Sequence, residues 1–309
     1  MMRIAGFRYP VFIVVCISIL SMSTQAQNRG VYPLGMSATN SGVTPAPGFT
    51  YVNQLLFYSR DHAKDDVGNT LTVTGENYVL MDMNTLAWVT KRKFLGGANF
   101  SAVATLPFAR NNLTSDIEGK ISGGGGFADS YYMPFILGWN RARAAIRAIY
   151  GFLASTGRFV AGGNDNVGSG YWTNTVSSGQ TFYLKENKRL ILSAFQMYEF
   201  HGVQQGTGTN PGETFDLDYS IMGLLRRSQS FQLQAGLVGY GQRQITATTG
   251  PMISEAASMD RYAVNGLGFA VNSNFPKHKA AVGLKYFKEF ANRSTFQGYS
   301  VQLSGSISF

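Results

Sequence analysis

The sequence predicts an all-β protein, a single antiparallel transmembrane β-barrel of about twelve strands. Three observations carry this. Apolar and polar residues alternate with period two along many segments. The connections between those segments alternate long and short. Charged residues are only 14% of the 309-residue chain, while aromatics reach 13%. A soluble domain carries about 25% charged residues. The aromatic content excludes intrinsic disorder, a single cysteine excludes a disulfide scaffold, and a near-neutral mean hydropathy leaves no room for several apolar helices.

The elements follow in chain order. Arg3 and Arg8 precede an apolar run from Val11 to Leu20 and a small-residue end at Thr24-Gln25-Ala26. That pattern predicts a secretory signal peptide over 1–26, because ten apolar-rich residues are too few to cross a bilayer. Cys16 falls within it, so the exported chain would hold no cysteine. The stretch 27–48 contains Pro33, Pro45 and Pro47 and little alternation. It either folds into the barrel as a plug or hangs free at the periplasmic side.

The barrel is expected over 49–309, with strands at 49–59, 78–90, 94–108, 129–140, 142–154, 171–184, 190–201, 214–225, 230–244, 261–275, 280–289 and 298–309. The third sets Phe94, Ala98, Phe100, Ala102, Ala104, Leu106 and Phe108 on one face. The fifth sets Ile146, Ala148, Tyr150 and Phe152 opposite Arg143 and Arg147, and the eighth sets Phe215, Leu217, Tyr219 and Ile221 opposite Asp216 and Asp218. The last alternates from Tyr299 to Phe309 against serines and Gln302. The second, sixth, seventh and tenth have mixed faces. Most spans reach the 9–11 residues that a tilted membrane strand needs. A soluble sandwich would show the same alternation, but its outer face would be charged rather than Ser, Thr, Gln, Asn and Gly.

Long connections at about 60–77, 109–128, 155–170, 202–213, 245–260 and 290–297 alternate with short ones at Lys91–Lys93, Arg141, Lys185–Arg189, Arg226–Gln229 and Pro276–Lys279. This is the order of external loops and periplasmic turns in outer-membrane barrels. The formal charge of +9 concentrates in the short turns, while acids gather in the long loops. It therefore marks one rim of the barrel and predicts no nucleic-acid partner. The terminal Phe309 is expected to be the residue that barrel assembly machinery reads.

Catalytic motifs are absent: no G-x-S-x-G, H-E-x-x-H or P-loop occurs. His62, His201 and His278 fall at different ends, so no metal site and no cofactor is expected. A barrel hydrolase would have to pair His201 or His62 with Asp61, Asp65 or Asp66. The polar face is more informative. Arg143, Arg147, Glu199, Asp216, Asp218 and Lys285 are expected to line the lumen. They either form a network holding the interior together or set a constriction that selects a solute.

Several segments together resemble the proteins grouped as transporters of the MetA-pathway of phenol degradation. They are Val31-Tyr32-Pro33-Leu34-Gly35 with Pro47-Gly48-Phe49, and Asp129 to Trp139. Thr156-Gly157-Arg158-Phe159, Asn166-Val167-Gly168 with Tyr171-Trp172-Thr173, and Gly212 to Tyr219 complete the set. Ala154-Ser155 departs from the family's usual proline. The resemblance covers essentially the whole exported chain. It implies an outer-membrane barrel without defined catalytic residues that admits hydrophobic compounds. The expectation is a passive channel for small hydrophobic or aromatic solutes, in contact with outer-membrane lipid and lipopolysaccharide. The alternatives are a closed structural or surface-contact barrel, and the barrel hydrolase.

Overall fold

The alternating segments pair edge to edge until the sheet meets itself. The computed structural model describes residues 30–184 and 189–309; the predicted leader over 1–26 and most of the turn Lys185–Arg189 lie outside them. In chain order the strands are β1 (Gly48–Ala63), β2 (Asn77–Phe94), β3 (Ala98–Ser115), β4 (Gly119–Ser122), β5 (Gly125–Phe127), β6 (Ser130–Asn140) and β7 (Ala144–Ala154). There follow β8 (Thr173–Tyr183), β9 (Leu190–His201), β10 (Thr214–Arg227), β11 (Gln232–Gln244), β12 (Ala263–Phe275), β13 (Ala280–Glu289) and β14 (Phe296–Ser308). Twelve of them form the wall, each antiparallel to its chain neighbour, and β1 pairs β14 from Thr50↔Ser308 to Ala63↔Phe296 to close it. Closure leaves no strand edge unpaired in lipid. The one α-helix among the described residues, Glu255–Met259, sits in a long loop, and no helix there is long and apolar enough to cross a membrane.

All twelve predicted strands are present, with 190–201 and 280–289 keeping their expected bounds and the others shifted at one or both ends. β3 was expected to stop at 108 and continues to Ser115, where β4 and β5 pair with it. Backbone pairing continues beyond the lipid, where side-chain alternation no longer reports it. The first short turn also moves, from Lys91–Lys93 to Leu95-Gly96-Gly97. Those three residues have φ of 28°, 72° and 89°, and Gly97 N–H donates to the Phe94 carbonyl at 2.8 Å. At 96 and 97 glycine adopts these left-handed angles without the Cβ clash that lysine or arginine would meet.

The apolar faces point outward. Leu80, Trp88, Ile221, Leu237 and Leu303 are each 42–60% exposed, which in water would form aggregation-prone patches but in a bilayer meets hydrocarbon. Opposite them, Thr173, Thr175, Thr181, Glu199, Asp216 and Asp218 are buried inside. The mixed faces now have physical causes. Ile191, Phe195 and Met197 of β9 point inward because apolar residues of the N-terminal segment meet them there. On the outer wall, Gln180, Ser178 and Gln196 form a hydrogen-bonded chain (3.0 and 2.9 Å), and Asn53 donates to Asp82 at 2.6 Å. Period two persists; only the residue types on each side depart from the simple rule.

Candidate functional site: the filled lumen and its cavity

Residues 30–47 run inside the barrel and are held by its inward side chains. Glu199 of β9 accepts hydrogen bonds from the backbone N–H groups of Val31 (2.8 Å) and Tyr32 (2.7 Å). Asp218 of β10 accepts from Tyr32 Oη (2.6 Å) and from the N–H groups of Gly35 and Ser37 (3.0 Å each). Lys285 of β13 donates to the carbonyls of Gly35 (2.6 Å) and Met36 (2.7 Å), and Gln302 of β14 to that of Leu34 (2.7 Å). Arg147 of β7 reaches the Ser41 carbonyl at 2.7 Å, and Asn140 exchanges two hydrogen bonds with Thr44. A backbone without helix or ladder must find partners for its polar groups, and the wall supplies them.

Apolar contacts add to this. Leu34 and Ala38 are buried in a cluster with Ile191, Met222, Val238 and Phe287, and the rings of Tyr32 and Phe195 lie 5.4 Å apart. Full burial of a leucine side chain stabilises by roughly 1.5–3 kcal/mol. The approach is close because the wall carries glycine where the segment touches it. A Cβ on Gly179 would fall 2.1 Å from the Ser41 carbonyl oxygen, and one on Gly138 would fall 1.8 Å from Thr44 Oγ1.

The segment does not fill the lumen. Between it and the wall formed by β1–β3, β6, β7 and β9 lies a cavity of about 440 Å³, within the usual range for small-molecule sites. Met36, Met81, Met83, Met133 and Met197 contribute to its lining. Unbranched thioether side chains adapt to ligands of different shape and favour aromatic partners. The wall beside it is irregular. The β6 register breaks against both neighbours around Met133–Pro134, where proline has no N–H to give the ladder.

The family described as "Putative MetA-pathway of phenol degradation" matches residues 60–304. The chain belongs to this family. In solved structures it is similar to the COG4313 outer membrane channel from Pseudomonas putida F1, at 15% identity and a TM-score of 0.69, over 91% of this chain and 100% of that one. The β domain of the Bordetella autotransporter BrkA aligns with 11% identity and a TM-score of 0.49, over 85% and 100% of the two chains. A Pseudomonas aeruginosa FadL homologue aligns with 10% identity and a TM-score of 0.36, over 85% and 90%. No curated protein matches the chain. The fold is thus that of an outer-membrane barrel.

In this member of the phenol-degradation family, five of the six expected lumen residues face inward. Glu199, Asp218, Lys285 and Arg147 hold the N-terminal segment, and Asp216 accepts from Gln242 Nε2 at 2.7 Å. Arg143 differs: β7 begins at Ala144, so Arg143 lies in the short turn and is exposed. The expectation extended the alternation one residue too far into a turn. Sequence reasoning missed the buried pair Arg60–Glu289, which is bidentate at 2.9–3.2 Å and capped by Tyr240 Oη at 3.1 Å. Neither end of that pair stood on a flagged alternation. It also missed Asp129, whose carboxylate ties down the 155–170 loop through Gly157 N, Ser169 N and Ser169 Oγ. Its place within the family-like segment 129–139 was the available signal.

His201 is inside the barrel rather than beside the loop acids Asp61, Asp65 and Asp66. Its Nε2 lies 3.2 Å from Glu199 Oε2 and its Nδ1 2.8 Å from Thr173 Oγ1. That order imitates nucleophile, base and acid, but Thr173 has no exposed surface and Glu199 is occupied by the N-terminal segment. Glu199 binds that segment, and His201 links it to Thr173 of β8. Among the described residues no three His, Cys, Asp or Glu side chains are grouped to hold a metal.

Proposed function

We propose that the protein is an outer-membrane channel, exported with a cleaved leader, that passes small hydrophobic or aromatic compounds. The observation that carries this is the methionine- and aromatic-lined cavity of about 440 Å³ between the N-terminal segment and the wall. An apolar solute gains roughly 25 cal/mol for each Å² it removes from water there, and the cavity reaches Asn111 and Asn112 near the end of β3 and Ser169 of the 155–170 loop. The 30–47 segment acts as the gate. Membership of a phenol-degradation family supports the solute class, and the likeness to a channel fold supports passage. On this reading the outer wall contacts membrane lipid and the external loops contact lipopolysaccharide. Phe309, 69% exposed beside Phe49, is the residue offered to the assembly machinery.

The test is uptake of radiolabelled toluene and phenol into vesicles carrying lipopolysaccharide in the outer leaflet. Faster entry with the protein than without it is expected, slowed by Met83→Arg, which would place a charge in the cavity. Equal entry with and without protein would sink the reading. The many hydrogen bonds to the 30–47 segment favour a second reading, a closed surface-contact barrel. Deletion of 109–128 would then abolish binding to lipopolysaccharide and leave entry unchanged.

A further inference from the structure

The charged groups around the cavity are unequally engaged. Glu199 lines it, but both carboxylate oxygens are turned to N–H groups of Val31 and Tyr32 and to His201. Asp129 lines its external part with both oxygens bound by Gly157 and Ser169. Arg60 is bidentate to Glu289. Arg147 is the exception. It stands on the inward face of β7, paired between Gly138 of β6 and Gly179 of β8, the two glycines over which Thr44 and Ser41 of the N-terminal segment are seated. Its Nε donates to the Ser41 carbonyl, while its two terminal amino groups have no carboxylate and no hydrogen-bond acceptor among the described residues. Tyr131, Met133, Ile149, Phe195 and Met197 line the same cavity.

A guanidinium inside an apolar enclosure is costly unless an anion meets it. Its planar fork matches a carboxylate in two parallel hydrogen bonds. A neutral ring would fill the apolar part and leave the cation unanswered. We propose that the cavity takes an amphipathic organic acid, an aromatic or short alkyl carboxylate. The carboxylate pairs with the Arg147 terminal amino groups, and the apolar body lies against Met133, Ile149, Phe195 and Met197. This rests on the reading of the cavity as the solute site and narrows its ligand class.

The experiment compares benzoate with its neutral isostere benzamide, and phenylacetate with phenylacetamide, binding to the full-length protein in detergent by calorimetry. The expected result is about tenfold tighter binding of each acid than of its amide, as charge-assisted hydrogen bonds exceed neutral ones. Arg147→Met should level the acid-to-amide ratio, and Arg147→Lys should restore part of it as a point charge. If wild type binds acid and amide equally, or Arg147→Met keeps the wild-type ratio, the inference is overturned while the channel reading stands. If neither acid nor amide binds, the cavity is not the solute site and both readings fall. Should Arg147→Met not fold, the wild-type ratio and the lysine variant decide the matter alone.

Discussion

Asp218→Ala removes the carboxylate that holds the N-terminal segment at three points. The side chain accepts from Tyr32 Oη at 2.6 Å and from the N–H groups of Gly35 and Ser37 at 3.0 Å each. Hydrogen bonds to a charged group contribute about 1.5–3 kcal/mol each, and the donors left behind stay buried. The contributions are not additive, so a docking loss of roughly 3–5 kcal/mol is the reasonable sum, similar to breaking one partner of a buried ion pair. Lys285 and Gln302 still donate to carbonyls of the segment, so docking is weakened rather than abolished. At about 1.4 kcal/mol per tenfold, the undocked population rises about 100- to 4,000-fold. The assay is maleimide labelling of Ala38→Cys, since Ala38 is fully buried in the docked state, together with single-channel conductance in planar bilayers. Labelling should accelerate by that factor and conductance should rise. An unchanged labelling rate in Asp218→Ala would refute the claim that this carboxylate holds the gate.

Three further outcomes are expected. Arg60→Met leaves Glu289 buried and unpaired, so it should lower stability by about 3–5 kcal/mol in urea titration, and Arg60→Met with Glu289→Leu should recover much of the loss. Asp82→Leu replaces an acid on the lipid-facing wall, between Leu80 and Leu86 along β2, and should be neutral to about 2 kcal/mol stabilising in vesicles; a loss above about 1 kcal/mol would mean the Asn53–Asp82 bond matters more than lipid exposure. Deleting Phe309, whose ring is largely exposed, should slow assembly in cells while shifting the stability of the folded fraction by less than about 1 kcal/mol.

Much of the wall is legible in the residues themselves. A strand in lipid has one side against hydrocarbon, and its backbone polar groups must pair with neighbours. Alternation and a closed set of strands therefore follow from local sequence, as from Thr214 to Met222. Where alternation fails, the cause lies across the barrel. Phe195 and Met197 face inward because Tyr32 and its neighbours meet them, a contact between residues about 165 positions apart. The same separation hid the site. Glu199, Asp216, Asp218, Arg147 and Lys285 could be named as inward from parity alone, but their roles depend on a segment that carries no periodic signal.

The sequence by itself determined the twelve-stranded wall, its alternation of long loops and short turns, and the inward parity of Arg147, Glu199, Asp216, Asp218 and Lys285, because each is set by period and spacing along the chain. The tertiary structure decided that residues 30–47 enter the lumen and that a cavity remains beside them. It also decided that Arg143 stays at the rim while Arg147 lines that cavity. Those outcomes depend on which glycines let two backbones touch and which carboxylates find an N–H. Both conditions join residues that only the closed barrel brings together.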